Sequence, residues 1–111
     1  MTDLNESCAP LRASDFCVEA ARLVAGPRNM THGDKEINFE CTALLWEAYL
    51  IARSLSDTSE PGWRLDAIDV GNMMELMKIA RRLNGTFNAD DYVDAAGYAG
   101  CTGEIAAKRN V

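Results

Sequence analysis

The chain of 111 residues has one histidine, His32, and its four cysteines, Cys8, Cys17, Cys41 and Cys101, form no Cys-x-x-Cys pair. The lone histidine rules out a multi-histidine zinc centre, and the scattered cysteines give neither a clustered thiolate site nor a disulfide framework. They read instead as small apolar side chains. No apolar run approaches the roughly 20 residues that cross a bilayer. The opening MTDLNESCAP also lacks the charged-then-apolar order of a signal peptide. The expectation is a cytoplasmic protein without membrane contact. Positive charge is scarce too: 11 Lys and Arg stand against 17 Asp and Glu, for a net charge of −6. That balance argues against direct nucleic-acid binding, which runs on neutralising phosphates with Lys and Arg. An acidic protein can still take a nucleotide through a divalent cation held by its carboxylates.

Period-two alternation between turns is missing, so no strand is expected. Helical periodicity is what remains. Residues 1–13 carry none and read as a flexible N-terminal arm, leaving 14–111 as a single helical domain. Ser14 is placed to cap a first helix that ends at Ala25, before Gly26-Pro27. Residues 28–34 (RNMTHGD) read as a loop. A long second helix is expected from Lys35 to about Arg53. Asp66 is placed to cap a third helix that stops at Asn84-Gly85, and Asp90 to cap a fourth. Four helices with short connections predict an all-α fold, an up-down bundle or paired hairpins.

Two helices look too apolar or too small-sided for a lone subunit. In the second, Ile37, Cys41, Leu44, Leu45, Ala48, Tyr49 and Ala52 form an arc that continues through Trp46, Phe39 and Leu50. It leaves a polar strip of Glu36, Glu40 and Glu47. The fourth presents Ala96, Ala99, Gly100, Gly103 and Ala106 on one face, and mid-helix glycine costs about 1 kcal/mol relative to alanine. Close packing, within the subunit or across a seam to another copy, would justify both, and a homo-oligomer (dimer or tetramer) is expected.

Three acids sit on faces that should turn inward. Asp69 lies in the third helix's apolar arc, three residues past Asp66, where it can also serve the helix N-terminus. Asp91 and Asp94 open the fourth helix on the face that continues through Tyr98, Cys101 and Ile105. Carboxylates at i and i+3 can grip one divalent cation, and a facing helix can add oxygens. Glu36 or Glu40, Asp34 or His32, and Asp69 are the candidates for that addition. Lys78 and Arg81 or Arg82 can meet phosphate oxygens, although cations in a helix's last turns also favour its C-terminal dipole. No Ser-His-Asp arrangement, glycine-rich phosphate loop or dinucleotide fingerprint is present.

The succession THGDKEINFE, DVGNMMELMKIARRLNG and DDYVDAAGYAG resembles a family of small phage and prophage proteins of unknown function. These in turn look like distant relatives of the MazG-type all-α nucleoside-triphosphate pyrophosphohydrolases. The resemblance spans about residues 16–107. It is carried by Asp91, Asp94, Gly97 and Tyr98, by Lys78 and Arg81, and by His32, Gly33 and Asp34. It implies a MazG-like, oligomeric helical bundle in which acids of neighbouring helices hold Mg2+, positioning a triphosphate and an attacking water. Asp91, Asp94 and Asp69 would then be catalytic, and Asp91, Asp94, Glu40 and Glu36 would be metal ligands. Lys78, Arg81, Tyr98 and His32 would bind substrate. Where those enzymes carry Glu-x-x-Glu, this chain has Glu36, Glu40 and Glu47, none three apart. Three readings therefore stand open: a Mg-dependent pyrophosphohydrolase, a noncatalytic nucleotide binder on the same scaffold, and a structural oligomeric module.

Overall fold

Residues 4–6, 8–26, 34–59 and 61–110 are described by the computed structural model. His32 and Gly33 lie outside them. A short 3-10 turn at Leu4–Glu6 precedes four α-helices: α1 (Ala13–Ala25), α2 (Lys35–Ser56), α3 (Ala67–Arg82) and α4 (Ala89–Arg109). All regular structure among the described residues is helical, as the absence of alternating patterns predicts.

The helix starts follow local capping chemistry, with two shifts from expectation. Asp66 caps α3 by a reciprocal exchange: its carboxylate accepts from the Asp69 N–H at 3.0 Å, and its own N–H donates to Asp69 Oδ2 at 3.0 Å. Asp34 caps α2, accepting from the N–H groups of Glu36 and Ile37. At α4 the cap is Asn88, whose Oδ1 accepts from the Asp90 N–H at 3.1 Å. Asp90 therefore lies inside the first turn, two residues past the cap. At α1 the helix begins one residue before Ser14, because Asp15 reaches back to accept from the Arg12 N–H at 2.8 Å. α2 runs three residues past Arg53, where the Ser54 and Ser56 hydroxyls bond to the carbonyls of Ile51 and Ala52. After α3 the chain turns at Gly85, whose φ of 76° is the left-handed region that glycine enters without strain.

α3 lies between α2 and α4 and runs antiparallel to both. On the α2 side, the Trp46 indole N–H donates to the Met73 carbonyl at 2.7 Å, and the Tyr49 hydroxyl donates to Asp69 Oδ1 at 2.7 Å. On the α4 side, contacts step down the pair from Lys78–Asp94 through Gly71–Thr102 to Asp66–Arg109. The α3–α4 contact is the more extensive, and α1 packs on neither pair to a comparable degree. A Cβ at Gly71 would overlap Thr102 Oγ1 and stand 3.1 Å from its Cβ, so the approach of α4 to α3 at Thr102 depends on this glycine. The small residues of α4 have a different setting. Among the described residues, no atom outside the local backbone of α4 comes within 4 Å of where a Cβ would stand at Gly97, Gly100 or Gly103.

Among the described residues the buried apolar side chains are Ala80 and Ala95, whereas Asn38, Asp69, Lys78, Asp91 and Thr102 are buried and polar. Register is thus set by polar partnerships more than by a greasy core. Gly71→Ala is expected to destabilise the fold by about 1–3 kcal/mol through overpacking. The loss should shrink when paired with Thr102→Ala, and additive losses in a denaturant double-mutant cycle would refute the contact. The Asp66 carboxyl is held at about 2, below its ordinary 3.8, first by the Asp69 N–H and then by the Arg109 guanidinium. Because that pKa is depressed by folding, the carboxylate's contribution is complete above about pH 4 and fades as pH falls towards 2. Asp66→Asn should flatten the stability–pH curve in that window, measured by urea unfolding at each pH.

Candidate functional site

The register of α3 and α4 brings Lys78, Asp91 and Asp94 to one end of the helical pair. Lys78 is 8% exposed, and its ammonium meets Asp94 Oδ2 at 2.8 Å, while the Asp94 side chain keeps 46% of its surface open. A lysine rarely sits this deep without a partner, and here the partner itself faces solvent. One turn earlier on α4, Asp91 is 3% exposed, and its Oδ1 is buried without a hydrogen-bond partner. Leaving a buried acceptor unmade costs about 1–3 kcal/mol, more for a charged group.

Arg82 flanks this end. Its guanidinium reaches the Asp91 carbonyl at 3.4 Å and lies 4.1 Å from the centre of the Tyr92 ring, which in turn stands 6.0 Å from Phe87. Asn38, buried on α2, belongs to the same end, since Asn84 just past α3 contacts Cys41 Sγ at 3.8 Å, one turn along from Asn38. Asn38 and the Phe87–Tyr92 pair were not singled out from the sequence. An asparagine inside an apolar arc is a signal that was available for the first. The pairing of the two aromatics depends on the turn at Gly85, which spacing alone does not define.

The other sequence candidates are dispersed. Asp69 stands nine residues before Lys78, about 14 Å along the α3 axis. Its carboxylate has three donors: the Tyr49 hydroxyl, the Arg53 Nε at 3.0 Å and the Asp66 N–H. It lines a cleft of about 370 Å3 with Arg53, Arg64 and Asp57, at the opposite end from Asp91. The Tyr49 phenol there is held above its ordinary pKa, chiefly by burial, with the Asp69 carboxylate adding to the effect. It therefore remains a hydrogen-bond donor at neutral pH. Glu36 and Glu40 are exposed on the first turns of α2, and Arg81 is half-buried one turn beyond Lys78. Tyr98 is half-buried one turn beyond Asp94, its carbonyl accepting from the Thr102 hydroxyl at 2.6 Å. His32 lies outside the described residues. Among the described residues no three Cys, His, Asp or Glu side chains converge as a metal cluster. Magnesium itself takes only one or two carboxylates when waters and phosphates complete its shell. No helix among the described residues is long and apolar enough to cross a membrane.

Comparison with known proteins finds relatives encoded by phages. The chain is 42% identical over 87 residues to the Gene 55 protein of Mycobacterium phage D29, covering 78% of this chain and 50% of that protein. It is 40% identical over 81 residues to the Gene 55 protein of Mycobacterium phage L5, covering 73% of this chain and 46% of that protein. The chain thus spans about half the length of these curated relatives. No solved structure matches it. Residues 16–106, which include Lys78, Asp91 and Asp94, match the family described as a domain of unknown function (DUF6378), and the chain belongs to that family.

Proposed function

We propose that the Asp91–Asp94–Lys78 end of the α3–α4 pair handles the phosphates of a nucleotide with the help of a divalent cation. In its fullest form this is the chemistry of a Mg-dependent nucleoside-triphosphate pyrophosphohydrolase, as the MazG-like resemblance implies. The carrying observation is the buried, unpartnered Oδ1 of Asp91 beside an ion pair half open to solvent. A cation bound there would satisfy that oxygen and draw on Asp94 as a second donor. Magnesium, when bound, would neutralise phosphate charge and acidify a bound water. The chain's own residues do the rest. Lys78 is held in place by Asp94, and its ammonium can shift from the carboxylate to an incoming phosphate oxygen, which frees Asp94 for the cation. Arg82, which reaches the Asp91 carbonyl, can add a second positive group, and Arg81 is its neighbour on the same helix. Glu36 and Glu40 are assigned an assisting role, with Asp69 the most distant of the proposed acids. Tyr98 and His32 remain the assigned substrate contacts.

A noncatalytic nucleotide binder is the second reading. It is favoured by the engagement of Asp94 with Lys78 and of Asp69 with three donors. Phage encoding is part of the proposal, drawn from the two Gene 55 proteins.

The test is incubation with each ribo- and deoxyribonucleoside triphosphate plus magnesium, with assay of pyrophosphate. Turnover is expected for at least one substrate, with Asp94→Asn lowering it more than a hundredfold. No turnover together with a nucleotide-induced rise in melting temperature would select the binder, since a ligand specific for the folded state must stabilise it. No turnover and no shift would sink both. Asp91→Asn separates site from scaffold. It should remove turnover while leaving stability within about 1 kcal/mol of the parent, because the Asp91 Oδ1 has no partner to lose. A marked loss of stability would make Asp91 a structural residue.

A further inference from the structure

The turn that joins α3 to α4 sets two aromatic rings beside the Lys78–Asp91–Asp94 end. Phe87 precedes α4 and Tyr92 lies in its first turn, with ring centroids 6.0 Å apart and planes 32° from parallel. Phe87 is 80% exposed and Tyr92 50%. Phe87 belongs to the connection rather than to a helix, so it is not one position of an amphipathic seam. Its ring meets another aromatic side chain and otherwise faces solvent.

Arg82 ties this ring pair to the candidate site. Its guanidinium lies 4.1 Å from the centre of the Tyr92 ring, a cation–π distance, and reaches the Asp91 carbonyl at 3.4 Å. The groups follow one another along the α3–α4 pair. Buried Lys78 with Asp94 comes first, Arg82 with Asp91 next, and Tyr92 with Phe87 nearest the connecting turn. Lys78 and Arg82 are one turn apart, about 6 Å along the helix axis, and the Tyr92 ring is one guanidinium contact from Arg82. A ribose spans a comparable length between a phosphate chain and its base. Exposed aromatic rings with an arginine alongside are the surface on which nucleobases stack.

We propose that Phe87 and Tyr92 form the nucleobase platform of this site. The base stacks against the ring pair, and Arg82, which braces Tyr92, lies between base and phosphates. This rests on the phosphate-handling reading above and narrows its substrate class from polyphosphates in general to nucleotides that carry an aromatic base. Stacking uses ring faces, which every base has, so the platform contributes affinity without choosing among bases.

Calorimetric titration of the full chain in magnesium tests this, with α,β-methylene-ATP as the base-bearing probe and tripolyphosphate as the baseless one. The nucleotide should bind more tightly than tripolyphosphate. Phe87→Ala should weaken the nucleotide about 5- to 150-fold, the range for losing one base stack, and leave tripolyphosphate within about twofold. Phe87→Trp and Tyr92→Phe, which keep a ring in place, should retain nucleotide binding. The ligand-free melting midpoint of Phe87→Ala should match the parent, because an exposed ring contributes little to packing. Unchanged nucleotide affinity in Phe87→Ala would overturn the platform, and so would an equal loss for both probes. A marked drop in the ligand-free midpoint would overturn it too, by assigning the ring to packing against α1 or another chain. Parent protein that binds both probes equally would remove the platform and spare the phosphate reading. Binding of neither probe would sink the phosphate reading and the platform with it.

Discussion

A buried polar atom must find its partner at one place, and in this fold that requirement sets the register of three helices. Trp46 locks onto the Met73 carbonyl and Tyr49 onto Asp69, which fixes α2 along α3. Lys78 meets Asp94 and Arg109 meets Asp66, which fixes α4 from the two ends. Between those ends Gly71 lets the Thr102 hydroxyl come close enough to fill the gap. A slip of one residue on either pair would bury several of these groups without partners, at a cost comparable to the whole stability of a small domain. The fold can therefore be specific while its apolar core is slight. The same rule makes the exception informative, since Asp91 is a buried acid whose Oδ1 has no partner.

The elements were legible from short-range signals, and their errors were local. Asp66 was readable as a cap because Asp69 answers it three residues later. Asn88 and Asp90 both carry a capping oxygen, and the choice between them depends on how the chain leaves Gly85, which a window of a few residues does not contain. Ser14 was passed over for a similar reason: Asp15, one place on, reaches the Arg12 N–H. The inward turn of Asp91 was visible in helical periodicity, as was the placing of Asp69 near a helix start. The partners were not visible. Arg53 and Tyr49 lie one turn apart on α2, so their convergence on Asp69 depends on the antiparallel register, a long-range property. That register also separates Asp69 from Asp91, which on a helical wheel could pass for members of one cluster. The glycines of α4 teach the same lesson, since the close approach within the subunit falls at Gly71.

The site and the outer apolar face of α2 are carried by different surfaces. Lys78, Asp91 and Asp94 belong to the α3–α4 pair, whereas Ile37, Leu44, Ile51 and Leu55 look away from it. Substitutions at Lys78, Asp91 or Asp94 thus need not disturb the outer face of α2, and the reverse holds. α2 is constrained on its inner face, which must stay polar enough to satisfy Asp69 and the Met73 carbonyl.

The two tryptophans report on different things. Trp46 has its indole N–H committed to a backbone carbonyl between helices, while Trp63 is 80% exposed in the α2–α3 connection. Only the first changes surroundings when α2 parts from α3. The chain thus carries a built-in optical gauge: Trp46 emission should follow the α2–α3 contact, with exposed Trp63 as an internal reference.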